Sequence, residues 1–215
     1  MATRHWPLFD LRVRTPRLEL RPPDEATVFA LIELADRGIH DESFVPFLRP
    51  WTHKPDGERQ HHSMQYYWRC WSQWSAGSWD LPLSVWVDGE LVGSQSMMAE
   101  GFAVTRAFET GSWLGQAHQG QGIGKEMRAA ALHLGFEGLG ATRAHTGAVD
   151  GNEPSMGVTR SLGYEPNGQL IKDRLGERIV VHEYRLDRSD WQRQRRDDIT
   201  IEGLEPCLVQ FGLAE

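Results

Sequence analysis

The apolar and polar positions of this chain follow the two periods of regular structure in turn. Leu18 and Leu20 alternate with Arg17, Glu19 and Arg21, the period of a half-buried strand. Pro22-Pro23 stops it. Asp24 suits the N-cap of a helix to about Ala35, with Glu25 in its first turn. Three prolines mark His40 to Pro55 as loop. A second helix is predicted from Gly57 or Glu58 to Trp74, closed by Ala76-Gly77-Ser78. Leu83 to Val87 and Leu91 to Met97 flank Asp88-Gly89, a hairpin signal. A strand over Ala107 to Leu114 precedes a helix over Gly122 to Phe136, whose apolar face carries Met127, Ala130, Ala131 and Leu134. Gly138-Leu139-Gly140 ends that helix. A strand (Ala144 to Val149), a helix (Glu153 to Leu162, stopped by Gly163), a strand from Tyr164 and a last strand (Arg178 to Leu186) complete the pattern. The expected class is α/β, an α+β arrangement around a mixed sheet.

The ends read differently. Residues 1–14 read as an arm kept polar by Arg4, Arg12 and Arg14, ahead of a domain over 15–190. Residues 191–215 form an extension. It opens on the charged run Gln192-Arg193-Gln194-Arg195-Arg196 and then carries Leu204, Leu208, Val209, Phe211 and Leu213. Such an apolar segment must be covered, either by its own domain or by a second subunit in a homo-oligomer. Nine tryptophans are many, and Trp51, Trp68, Trp71, Trp74 and Trp79 fall close together. Trp68, Trp71 and Trp74 share a helical spacing that predicts core for at least part of the cluster. One or two of the others suit an acceptor groove, where a flat amphipathic ring is useful.

The net charge of −7 argues against a general nucleic-acid binder. No apolar run approaches a membrane span, and the N-terminus lacks a signal peptide's apolar core, so a cytoplasmic protein without a membrane partner is expected. Cys70 and Cys207 have no metal or redox spacing, and His61-His62 are adjacent, so both rarely reach one ion. No metal is expected.

The chemistry is concentrated in Gln119-Gly120-Gln121-Gly122-Ile123-Gly124-Lys125, between a predicted strand and a predicted helix. Glycines let backbone approach a ligand, and the first helical turn has unpaired N–H groups and partial positive charge, so this is a phosphate-binding device. The Walker spacing fails, because Gln119 stands where the first glycine belongs and Glu126 follows Lys125. The Rossmann spacing fails at Lys125. A nucleotide-binding protein is therefore disfavoured. What fits is Gln/Arg-x-x-Gly-x-Gly/Ala, read at Gln119, Gly122 and Gly124.

That loop resembles the pyrophosphate loop of the GNAT acyltransferase superfamily, and the resemblance extends further. Thr15-Pro16-Arg17-Leu18-Glu19-Leu20-Arg21, then Gly111-Ser112-Trp113-Leu114 with His118-Gln119-Gly120-Gln121-Gly122, then Asn152-Glu153-Pro154-Ser155 with Ser161-Leu162-Gly163-Tyr164, are similar in order and spacing to the ribosomal-protein N-acetyltransferase (RimJ/RimL) branch. The likeness covers residues 13 to 190 or so. It implies a GNAT fold whose fourth and fifth strands splay apart, an acyl-CoA donor (acetyl-CoA, or a larger one such as succinyl-CoA), and transfer of the acyl group to a primary amine on a protein, peptide or small molecule. It places the pantetheine arm against Trp113, Leu114 and Asn152, and the phosphates on the backbone of Gln119 to Lys125. Ser155 falls near the sulfur as the leaving-group acid, and Glu109 at the family's general-base position. His40, Asp41 and Glu42 are rival acceptor-side groups, and His118 reads as a packing or hydrogen-bonding residue beside the loop. Thr159 departs from the tyrosine that many members carry as thiolate acid. That departure leaves open a non-catalytic CoA-binding or regulatory module on the same fold.

Overall fold

A computed structural model describes residues 5–213 of the chain. Its strands are β1 (Arg12–Arg14), β2 (Leu18–Arg21), β3 (Ser78–Val87), β4 (Glu90–Glu100), β5 (Ala107–Leu114), β6 (Arg143–Val149), β7 (Glu165–Arg174), β8 (Glu177–Asp187) and β9 (Thr200–Glu202). The α-helices are α1 (Glu25–Asp36), α2 (Glu58–Ser72), α3 (Phe102–Thr105), α4 (Ile123–His133), α5 (Glu153–Ser161) and α6 (Arg188–Gln192). The strands form one sheet in the order β7-β8-β6-β5-β4-β3-β2-β1-β9. Among the described residues only β5 and β6 run parallel.

Local chemistry accounts for the boundaries. Asp24 accepts a hydrogen bond from Thr27 N and starts α1. Asp88 and Gly89 both take positive φ, the type I′ geometry that joins β3 to β4. After α4 the chain widens into a π-turn over Leu134–Gly138. There Gly135 lies so close to the Phe108 ring that a Cβ would fall 2.3 Å from it. This contact seats α4 on β5. α1 and α2 cover the opposite face of the sheet, where Val28, Leu31, Ile32 and Tyr67 form a smaller core of their own.

One expectation changes, and one open alternative is decided. The segment read as a polar arm is part of the body: Leu8, Leu11 and Val13 are buried, and β1 pairs with β2. Arg12 and Arg14 keep only the other face of that strand polar, and the alternation hid a strand. Met1–Arg4 lie outside the described residues. The C-terminal extension docks on its own domain. Trp191 stacks on Phe136, β9 pairs with β1, and Phe211 is fully buried between Trp74 and Trp79. Residues 214–215 also lie outside the description. The predicted Trp face divides: Trp74 joins Trp6, Trp79 and Phe211, Trp71 packs on Phe9, and Trp68 is exposed.

Candidate active site

The parallel ladder between β5 and β6 runs from Ala107–Arg143 to Thr110–Thr146 and stops there. Beyond that point β5 stays paired with β4 as far as Leu114, and β6 with β8 as far as Val149. The two strands therefore diverge into a gap lined by backbone, the splay implied by the sequence. Gly115 N donates to Val92 O, which makes Leu114–Gly93 a non-hydrogen-bonded pair. Backbone directions alternate along an antiparallel ladder. The N–H groups of Ser112 and Leu114 consequently face the gap, and that of Trp113 faces β4. Trp113 turns its ring toward Trp51 on the α1/α2 side of the sheet, while the Leu114 side chain is buried near Gly124 of α4.

The glycine loop leads from the gap to α4. Gly120 and Gly122 have φ of +74° and +79°, and Gly122 is the N-cap, with no side chain capping the helix. The first-turn N–H groups, from Ile123 to Lys125, are thus left to an incoming anion. Ile123 is buried and anchors the turn, Gly124 packs near Val158, and Lys125 is exposed. The glutamines act within the loop itself: Gln119 Nε2 donates to Ile39 O and Leu114 O, and Gln121 Nε2 to Ala117 O. Sequence reasoning missed Arg17 as a neighbour of this loop. Its Nε donates to Glu126 at 2.8 Å, and its tip lies close to Gly122.

At the start of α5, Asn152 Oδ1 accepts from Ser155 N (3.2 Å) and Nδ2 donates to Pro46 O (3.3 Å). Asn152 is therefore at least the cap of that helix and a tie to the loop before α2. Ser155 is half-buried beside it.

On the α2 side of the sheet lies a cavity of about 610 Å³ whose walls include Arg49, Arg69, Asp80, Glu109, His145 and Glu183. Glu109 opens onto it one residue before the ladder ends, and no hydrogen bond or ion pair holds it among the described residues. Partial desolvation by the cavity walls, then the charges of Glu183 and Asp80, raises its pKa above the ordinary glutamate value. Asp80 is raised as well, by burial, although Tyr66 donates to it at 3.0 Å. Among the rivals, His40 is engaged with Asp41 O and Thr52, and Asp41 with Ser43. Glu42 is exposed. His118 lies 3.7 Å from Glu90, away from this cavity.

Sequence reasoning also missed Arg128. It is 4% exposed on α4 and donates to Ser112 Oγ (3.0 Å), Thr159 Oγ1 (3.1 Å) and Thr146 Oγ1 (3.4 Å). The signal was present: Gly124, Ala131 and Gly135 are small residues on its own helical stripe, which make room for a long side chain within an otherwise apolar face.

A gap that exposes strand N–H groups, an uncapped helix start at its end and a carboxylate held ready at its root together suit acyl transfer from a phosphate-bearing thioester. Comparison with known proteins agrees. The model of the acetyltransferase (GNAT) domain matches residues 17–165. The chain belongs to that family, whose members are acyl-CoA-dependent N-acyltransferases. Solved structures share the fold. RimL, described as a ribosomal L7/L12 alpha-N-protein acetyltransferase in complex with coenzyme A, superposes with a TM-score of 0.64 at 21% identity over 80% of this chain and 95% of its own. A Salmonella typhimurium acetyl transferase, described as modifying the N-terminal serine of L7/L12, gives 0.63 at 21% over 80% and 96%. A GCN5-related N-acetyltransferase from Brucella melitensis gives 0.67 at 15% over 84% and 80%.

Proposed function

We propose that this chain transfers an acyl group from CoA to a primary amine by direct attack, with Glu109 as base and the gap between β5 and β6 as the donor site. The observation that carries the reading is the end of the β5–β6 ladder at Thr110–Thr146, in line with the uncapped start of α4. An extended arm entering the gap meets N–H groups of Ser112 and Leu114, which suit the thioester carbonyl as it gains negative charge. Phosphates meet the backbone of Gln119 to Lys125. Glu109, with its raised pKa, is suited to take a proton from an ammonium at near-neutral pH. Ser155, half-buried at the start of α5, is the hydroxyl we assign to hydrogen-bond the leaving thiolate.

A covalent cysteine route has no support. Burial drives the Cys70 thiol far up from its ordinary value, so it is not a thiolate at neutral pH. The acceptor cavity carries Glu109, Asp80 and Glu183, which favours a cationic amine such as a protein N-terminus, a lysine or a small amine. The RimL structures, described as acting on a protein N-terminus, make that acceptor the first to try. Acetyl is the family's ordinary acyl group, and a larger one such as succinyl is compatible with a polar pocket.

Calorimetry with CoA, acetyl-CoA and ATP, followed by mass spectrometry of peptide and amine panels, tests the reading. CoA binding and a mass gain on an amine are expected. Binding of ATP without CoA would reject it, and CoA binding without transfer to any amine would favour the non-catalytic module.

A further inference from the structure

We infer that Arg128 makes this enzyme selective for acyl-CoA donors whose acyl chain ends in a carboxylate. The inference rests on the proposed reading of the gap as the CoA site.

A guanidinium stays charged in proteins and has five N–H donors. Arg128 makes three hydrogen bonds, all to neutral hydroxyls. Its Nε is buried without a partner, and no carboxylate lies within ion-pair distance among the described residues. Burial pushes its pKa down, which is the mark of a cation without a counter-charge. A purely structural tie between α4, the sheet and α5 could be made by an uncharged side chain at far less desolvation cost.

The position is specific. Ser112 is on β5 beyond the last β5–β6 pair, Thr146 is the last residue of β6 that pairs with β5, and Thr159 is on α5. The guanidinium thus spans the root of the gap, where an acyl chain attached to a thioester in the gap would end. The acceptors are fixed. Thr146 Oγ1 donates to Thr110 O (3.1 Å) and Thr159 Oγ1 to Ser155 O (2.9 Å), so both oxygens are left to receive from Arg128. Thr159, where many family members carry tyrosine, here completes the cation's seat. The two N–H donors left over by Arg128 match the two oxygens of one carboxylate.

The reaction balances without any further reactant. The amine nitrogen forms a bond to the thioester carbonyl carbon as the C–S bond breaks. Glu109 takes one proton from the ammonium, and the second, shed by nitrogen as the amide forms, passes to the departing thiolate, which leaves as the CoA thiol. The distal carboxylate stays ionised on Arg128 throughout, so the acceptor exchanges a positive charge for a negative one.

Succinyl-CoA and butyryl-CoA have equal chain length and differ at the tip, so they isolate the carboxylate. Acetyl-CoA serves as the short reference. With the full chain and one amine acceptor, kcat/KM for succinyl-CoA is expected to exceed that for butyryl-CoA by about 100-fold, because a site built to bond a polar group rejects the analogue that lacks it. Arg128→Met removes that ratio while the affinity for free CoA is retained, and Arg128→Lys restores part of it. Thermal unfolding of each variant checks that it is folded. Wild-type preference for butyryl-CoA or acetyl-CoA, with free CoA still bound, overturns the assignment of Arg128 alone. Failure to bind free CoA overturns the reading of the gap together with it. Should Arg128→Met fail to fold, the wild-type succinyl-to-butyryl ratio decides.

Discussion

Glu126 and Arg128 stand two residues apart on α4, and both are buried, yet their surroundings are opposite. Glu126 is complete: Thr15 donates to one carboxylate oxygen, Arg17 grips the other, and Arg196 approaches at 3.9 Å. These contacts fasten α4 to the turn between β1 and β2 and to the C-terminal segment. Arg128 has only hydroxyls around it and an idle Nε. A buried charge whose partners are all present serves the fold. One that lacks its counter-charge signals a ligand, because an uncompensated buried ion is strongly destabilising. The same helix therefore carries a clasp on one stripe and a specificity element on the next.

The most severe challenge to this contrast is at the loop, since Arg128 has no ligand to meet if CoA does not enter the gap. Gly122→Glu sets a carboxylate at a positive-φ N-cap, where the anion belongs. Affinity for CoA by calorimetry is expected to fall about 1,000-fold through repulsion and backbone strain. Undiminished binding would place CoA elsewhere.

Glu109→Gln tests the other end of the gap. A kcat lower by about 100-fold is expected, together with loss of the acid limb of the pH–rate profile and little change in CoA affinity. A retained acid limb would move the role of base to another group of the cavity.

The clasp itself is sharpened by a pair of melts. Glu126→Gln leaves Arg17 and Thr15 without their carboxylate and is expected to cost about 2 kcal/mol in chemical denaturation, less than a fully buried pair because Arg17 is half exposed. The succinyl-to-butyryl ratio should not move. Arg128→Met, which removes a buried charge with no counter-ion, is expected to stay within about 1 kcal/mol of wild type or gain stability. A large loss from Arg128→Met with an unchanged acyl ratio would make Arg128 a clasp too.

The smallest effect concerns pH. The pKa of Glu109 is raised in the folded state, so the native protein holds that proton more tightly than the unfolded chain does. The stability this contributes is full below the unfolded value and is lost as pH rises through the folded one. Glu109→Gln is therefore expected to raise the melting temperature slightly relative to wild type at pH 7.5 and not at pH 4, by no more than about 0.5 kcal/mol for a group open to solvent. The opposite sign would mean that a cation holds the carboxylate.

Much of this was legible before folding. β5 has the limits predicted for it, Ala107–Leu114, because a strand followed by a glycine turn leaves little freedom. The helix starting after Gly122 was equally plain. Residues 5–14 were misread because Arg12 and Arg14 outweighed the buried alternation of Leu11 and Val13, which needs a partner strand to have meaning. Likewise Trp68 shares the spacing of Trp71 and Trp74 but faces solvent, since spacing fixes a helical face and not what covers it.

By itself the sequence determined the order of the central elements and a glycine loop of the form that suits phosphate, and the resemblance of its motifs pointed to the GNAT family and, through it, to Glu109 as a base candidate. The elements and the loop follow from short-range rules of period, caps and turn residues, whereas the role of Glu109 follows only from the resemblance. Only the tertiary structure decided that the β5–β6 ladder ends at Thr110–Thr146, that the tail folds back to pair β9 with β1, and that Arg128 lies at the root of the gap without a counter-charge. Each of these depends on groups far apart in sequence. Whether a buried charge is satisfied is a property of everything around it, and no local pattern records that.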